Sequence, residues 1–188
     1  MRIITGIFKR RVLKTTKDVD VRPAMDRVKG TIFNMLQNRL GLHGARVLDL
    51  FAGTGSLGLE ALSRGAAHVV FVDDNRRILD VIEENVEMLG CGDACDIVFD
   101  DALSYVDRAA RESFNLIFAD PPYDYERTPD VLRMIFDRGL LKKDGLLIIE
   151  HAKRTVFDPA PQYKLAVQKE FGNTRLSFFA IRNNEETV

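Results

Sequence analysis

The chain has 188 residues, 46% of them hydrophobic and 29% charged, which suits one globular domain and excludes global disorder. It has no apolar run near the roughly 20 residues of a membrane span, and its first residues lack the apolar core and cleavage site of an export signal, so a cytoplasmic protein is expected. The net charge of −1 argues, taken whole, against a nucleic-acid partner.

The average conceals a split. Residues 1–40 carry ten Lys and Arg against three Asp, a net of +7, and the remainder carries 17 against 25, a net of −8. In the first segment Ile3, Ile4, Ile7, Phe8, Val12 and Leu13 interleave with basic residues and Gly6 offers a bend. The pattern predicts a basic β-hairpin over residues 1–22, able to hold Lys9, Arg10 and Arg11 against phosphates; a solvated basic face is the plainer alternative.

Pro23 then opens a helix, and Met25, Val28, Ile32, Met35, Leu36 and Leu40 recur at helical spacing as far as Gly41. From Arg46 strands and helices alternate. Strands are expected at 46–51, 68–73, 95–99, 114–119 and 145–150, with helices at 56–64, 75–89, 102–111 and 129–138 between them. Short apolar strands separated by helices imply an α/β fold, a mostly parallel sheet with helices on both faces. Residues 162–170 and 174–182, parted by Gly172-Asn173, form an antiparallel C-terminal hairpin and bring the sheet to seven strands. The main domain is expected at 23–183, with a frayed tail at 184–188.

Gly53, Gly55 and Gly58 match G-x-G-x-x-G between a strand and a helix, and Asp73 closes the next strand. Such glycines allow a tight turn and close approach to a nucleotide, and Asp73 can accept from ribose hydroxyls. Asp49 precedes the loop; its carboxylate disfavours a pyrophosphate and favours a ligand bearing an ammonium group. Asp101-Ala102 follows the third strand, where Asp also suits a helix N-cap. Asp120-Pro121-Pro122-Tyr123 follows the fourth strand, at the edge where open α/β sheets bind ligands. Asp120 and the Pro121 carbonyl can accept both hydrogens of an amino group while Tyr123 stacks on its ring. Tyr125 is a second candidate for stacking, and Phe33 and Asn34 candidates for the cofactor pocket. Glu150 and His151 end the fifth strand near the site and read as ordinary polar edge residues, and the separated Cys91, Cys95 and three histidines give no metal site.

DLFAGTGSLGLEAL resembles motif I of class I S-adenosylmethionine-dependent methyltransferases, a Rossmann-like fold. With MRIITGIFKRRVLKT, VRPAMDRVKGTIFNML, VVFVDDN, DAL and DPPY in this order, the chain resembles the bacterial 16S rRNA (guanine(966)-N2)-methyltransferase family. The resemblance implies S-adenosyl-L-methionine as cofactor, S-adenosyl-L-homocysteine as product and no metal. It implies cofactor contacts from Asp49, Ala52, Gly53, Thr54, Gly55, Gly58, Asp73, Asp74, Asp101 and Ala102. Catalysis falls to Asp120, Pro121, Pro122 and Tyr123, and RNA contact to Lys9, Arg10, Arg11, Arg22 and Arg27 of a monomer acting on 16S rRNA, free or in assembly intermediates. The family usually has Thr where Ala24 stands and often Glu where Asp73 stands. An adenine-N6 methyltransferase, an NAD-linked oxidoreductase and a non-catalytic RNA-binding module remain as alternatives.

Overall fold

The computed structural model describes residues 1–15, 23–37 and 39–182, with no side chain described for 23–26. Arg22 and the tail 184–188 lie outside the described residues. In chain order the elements are α1 (Pro23–Gln37), β1 (Arg46–Leu50), α2 (Ser56–Ser63), β2 (His68–Asp73), α3 (Arg76–Leu89), β3 (Cys95–Phe99) and α4 (Ala102–Arg108). They continue with β4 (Phe114–Ala119), α5 (Thr128–Asp137), β5 (Leu141–Ala152), β6 (Tyr163–Phe171) and β7 (Thr174–Ile181). Among the described residues no helix is long and apolar enough to cross a membrane.

The strands form one sheet in the order β3-β2-β1-β4-β5-β7-β6. The five strands from β3 to β5 are parallel, and β7 inserts antiparallel between β5 and β6. This is the expected mixed sheet, with an apolar cluster on each face. One cluster packs Val47, Phe71, Phe118 and Ile148 under Phe33 and Leu36 of α1, Leu59 of α2 and Leu79 and Ile82 of α3. The other packs Leu48, Val70, Ile117 and Ile149 against Val106 of α4 and Leu132 and Ile135 of α5.

Several boundaries differ from expectation, those of β1, α1 and β5 among them. Strand β1 stops at Leu50 because Phe51 has a left-handed backbone (φ 56°), which turns the chain out of the sheet. Helix α1 ends at Gln37 rather than Gly41. Strand β5 begins at Leu141, before the polar run Lys142-Lys143-Asp144, and a register shift opposite Phe114–Leu116 with a left-handed Asp144 (φ 63°) absorbs that segment.

The N-terminal segment is hairpin-like but pairs at a single bridge, Arg2 to Val12, rather than along a ladder. It is held by the helices beneath it. Ile3 and Leu13 are buried in the first cluster. Glu60 of α2, fully buried, accepts from Ile4 N (2.7 Å) and Thr5 N (3.0 Å), and Asn85 of α3 accepts from Lys14 N (2.7 Å). Gly6 (φ 91°) lies so close to α2 that a Cβ there would sit 1.7 Å from the Ser63 carbonyl oxygen.

Candidate functional site

The carboxyl ends of the parallel strands open into a cavity of about 1150 Å³. Alternation along the strands places Asp73, Asp49, Asp120 and Glu150 on the sheet face that carries Phe71, Val47, Phe118 and Ile148. Asp49 pairs with Phe71 on one side and Phe118 on the other, so it lies two residues deeper than Asp73 and Asp120. The four carboxylates therefore span four adjacent strands, β2-β1-β4-β5, over about 14 Å at ~4.8 Å per strand.

The glycine loop is organised around two of these acids. Gly58 N donates to Asp49 Oδ2 (2.9 Å) and Gly53 N to Asp73 Oδ2 (3.1 Å), while Asn75 N donates to Asp73 Oδ1 (3.0 Å). Gly55 N donates to the Ala52 carbonyl (2.8 Å). Burial pushes the Asp49 pKa well above the usual carboxylate value, the Gly58 bond opposes this, and the charges of Asp120 and Asp73 add to the rise. Burial also raises Asp73, against the pull of its two backbone donors. Gly58 lies away from the cavity wall and its role is packing. A Cβ there would meet the Phe71 ring at 2.3 Å and Val69 at 2.7 Å, so glycine lets α2 approach the sheet.

Asp120 faces the cavity from the end of β4. Solvent reaches it from that side and protein surrounds it elsewhere. This enclosure, followed by the nearby Glu150 carboxylate, pushes its pKa up to about 7. Among the described residues no group donates to the Asp120 carboxylate or to the Pro121 carbonyl, whereas the Pro122 carbonyl accepts from Tyr125 N (2.8 Å). Tyr123 lines the cavity half-exposed, with the Arg154 guanidinium 5.0 Å from its ring centre.

The structure brings Asp49, Ala52, Gly53, Thr54, Asp120 and Tyr123 to one cavity. It leaves others off that wall, among them Gly55, Asp73, Pro121 and Pro122. Asp74 is exposed beyond β2, and Asp101 caps α4, its Oδ1 accepting from Ser104 N (2.9 Å), with Ala102 buried behind it. Tyr125 packs edge-on against Phe51 at 5.1 Å rather than beside Tyr123. Phe33 is core, packed on Phe118 at 5.8 Å, and α1 instead lends the cavity Arg27, Val28, Lys29 and Ile32.

Several cavity residues escaped the sequence reading. Met1 reaches the wall and its sulfur accepts from Thr54 Oγ1 (3.7 Å). The β6–β7 turn, Glu170 to Thr174, closes one side, and Glu150 lines the floor with Oε1 accepting from Thr174 Oγ1 (3.1 Å). Burial raises the Glu150 pKa, and the Thr174 bond opposes it. His151 points the other way: it is buried, shares a hydrogen bond with Ser177 Oγ (2.8 Å), and burial lowers its pKa. The sequence put Glu150 near the site as an ordinary edge residue; strand order and register are what place it beside Asp120.

A second, smaller depression of about 410 Å³ is lined by Arg2, Ile3, Ile4, Lys9, Arg10 and Arg27. Arg27 belongs to both walls, so the basic surface runs directly into the acidic cavity. Arg11 is exposed beside the depression without lining it.

The family described as "Conserved hypothetical protein 95" matches residues 1–180. The protein YlbH of Bacillus subtilis is 34% identical over 97% of this chain and 100% of its own length. Ribosomal RNA small subunit methyltransferase D of Escherichia coli K12 is 33% identical over 80% of this chain and 74% of its own. The solved structure of yhhF from Escherichia coli superposes with a TM-score of 0.84 at 30% identity, covering 95% of this chain and 96% of that one. The sheet order, the glycine loop and these likenesses agree: the chain has the class I methyltransferase fold and belongs to the "Conserved hypothetical protein 95" family, alongside the ribosomal RNA small subunit methyltransferase D proteins it resembles.

Proposed function

We propose that this chain is an S-adenosylmethionine-dependent methyltransferase acting on the exocyclic N2 amine of a guanine in small-subunit (16S) rRNA. The observation that carries the reading is Asp120: a carboxylate that no described residue donates to, next to the rigid Pro121 carbonyl, facing the same cavity as Asp49 and the glycine loop.

The loop fits this cofactor better than a dinucleotide. All three glycine N–H groups are engaged, Gly53 with Asp73, Gly55 with Ala52 and Gly58 with Asp49, so they are not available as a cradle for pyrophosphate. What the loop offers instead is acceptors. Asp49 suits an ammonium group, and Asp73, whose oxygens each retain a lone pair, suits ribose hydroxyls. When bound, S-adenosylmethionine supplies an electrophilic methyl on sulfonium. Asp120 and the Pro121 carbonyl accept the two N–H bonds of the amine, orienting its lone pair, and Tyr123 covers the ring. Their contribution is alignment, the main requirement of an in-line displacement. The basic depression, with Lys9, Arg10 and Arg27, holds RNA phosphates at the mouth. A target base within a helix is extruded before it enters.

The test incubates the protein with radiolabelled S-adenosylmethionine and immature small subunits, naked rRNA or duplex DNA, and identifies the labelled nucleoside. N2-methylguanine is expected, and Asp120→Ala loses transfer while retaining cofactor binding. N6-methyladenine as sole product overturns the assignment.

A further inference from the structure

Two cavity acids have no task in this mechanism: Glu170, which is ion-paired with Lys153 and Arg175, and Glu150. Parallel pairing of β4 with β5 ends at Ala119 opposite Ile149, so Asp120 and Glu150 stand side by side one step further on, on the same face of the sheet. Both line the cavity. Thr174 fixes Glu150 through Oε1, and among the described residues Oε2 receives no hydrogen bond. Two carboxylates rising from adjacent positions of neighbouring strands, whose backbones lie ~4.8 Å apart, repel each other unless a ligand supplies donors to both.

Purine edges differ at this point. Guanine presents two adjacent donors, the 2-amino group and N1–H. Adenine beside its 6-amino group presents a lone pair on N1, which a second carboxylate repels. Resting on the guanine reading above, we infer that Glu150 is a specificity residue: it accepts from N1–H of the base whose 2-amino group Asp120 holds, and it thereby rejects adenine. The raised pKa values of both acids accord with a pair awaiting donors.

The discriminating probe is 2-aminopurine, which keeps the 2-amino group but has a lone pair in place of N1–H. Uridine oligoribonucleotides carrying a single guanine, 2-aminopurine or adenine are titrated with the full-length protein, 2-aminopurine directly by its fluorescence and the others by competition. Wild type should prefer guanine to 2-aminopurine by about tenfold to a hundredfold, the usual worth of one base-edge contact. Glu150→Gln, whose amide can donate to N1, should shrink that ratio to within about threefold. Equal affinity of wild type for the two overturns the proposal without needing any variant, as does an unchanged ratio in a folded Glu150→Gln. Both results leave the guanine reading intact if N2-methylguanine is still the product. Wild-type preference for adenine over both overturns the guanine reading and the proposal with it.

Discussion

Glu60 offers the sharpest test of how the basic N-terminal segment is held. It is fully buried in α2 and serves as acceptor for Ile4 N (2.7 Å), Thr5 N (3.0 Å) and Arg64 Nε (2.7 Å), with Lys29 Nζ at 3.9 Å. Glu60→Gln preserves volume but replaces one oxygen with a donor. If the amide oxygen occupies the Oε1 position it serves Thr5 and Arg64, and the NH2 then confronts Ile4 N–H; the reverse orientation opposes two donors. Each stranded donor costs about 1–3 kcal/mol. Arg64, only 10% exposed, loses its counter-charge as well. Breaking a buried ion pair from one side costs about 3–5 kcal/mol, and that range is expected here. At roughly 2–4 °C per kcal/mol for a chain of this size, the melting midpoint should fall by about 6–20 °C. Amide hydrogen exchange localises the damage: the Ile3, Arg10 and Leu13 amides, bonded across the segment to Arg11, Ile3 and Met1, should lose protection before strands β1 and β4 do. RNA affinity should fall with it, because Lys9 and Arg10 are no longer held in place. A midpoint within a degree of wild type, with those amides still protected, refutes the clamp.

Gly6→Ala forces a Cβ to within 1.7 Å of the Ser63 carbonyl oxygen at φ 91°, so the segment must lift, breaking the bond from Ile7 N to Ser63 O (2.8 Å); accelerated exchange at Ile7 with unchanged far-UV dichroism is expected, and continued protection counts against it. For pH, ionised Asp120 is the stronger acceptor for the amine, and protonation turns one of its oxygens into a donor, so kcat/KM should fall as the pH drops below about 7, and a flat profile from 5 to 8 contradicts the assignment. The stability effect runs in the opposite direction: a folded pKa of about 7, above the 3.8 of an ordinary aspartate, gives stabilisation that is present below pH 3.8 and lost as the pH rises through 7. Asp120→Asn should therefore melt above wild type at pH 8 and level with it near pH 3.

The strands were legible because runs such as Val69-Val70-Phe71-Val72 are apolar on both faces, as a strand covered by helices must be. The loop and the tetrapeptide were legible because glycine and proline mark where the backbone turns. Lateral relations were not. Asp120 and Glu150 lie 30 residues apart, and nothing local in the sequence shows that β4 and β5 are neighbours or that their registers agree. Glu60 was hidden for a related reason, since an acid between Leu59 and Ala61 finds its partners in the backbone of residues 4 and 5. Gly58 was read with the cofactor motif, and its missing side chain serves Phe71 instead.

The charge split needs the same refinement. Lys29 counts toward the +7 of the first forty residues, yet it is 4% exposed and donates to the Arg2 carbonyl (2.6 Å) and Ser56 Oγ (3.0 Å), so its role is to join α1, the N-terminal segment and the glycine helix. The cations that face outward rest on that joint. Because Ile3 and Leu13 belong to the main core and Met1 reaches the cavity wall, the basic surface is built on the same framework as the site it feeds. A backbone fixed before binding spares the ordering cost that a mobile basic tail would incur on each encounter, leaving chiefly side-chain immobilisation at about 0.5–1.5 kcal/mol apiece. In the proposed complex Arg27, which lines both depressions, would set the reach from a phosphate to Asp120 by the geometry of α1 rather than by a linker, which is what selecting one base along a polyanion requires.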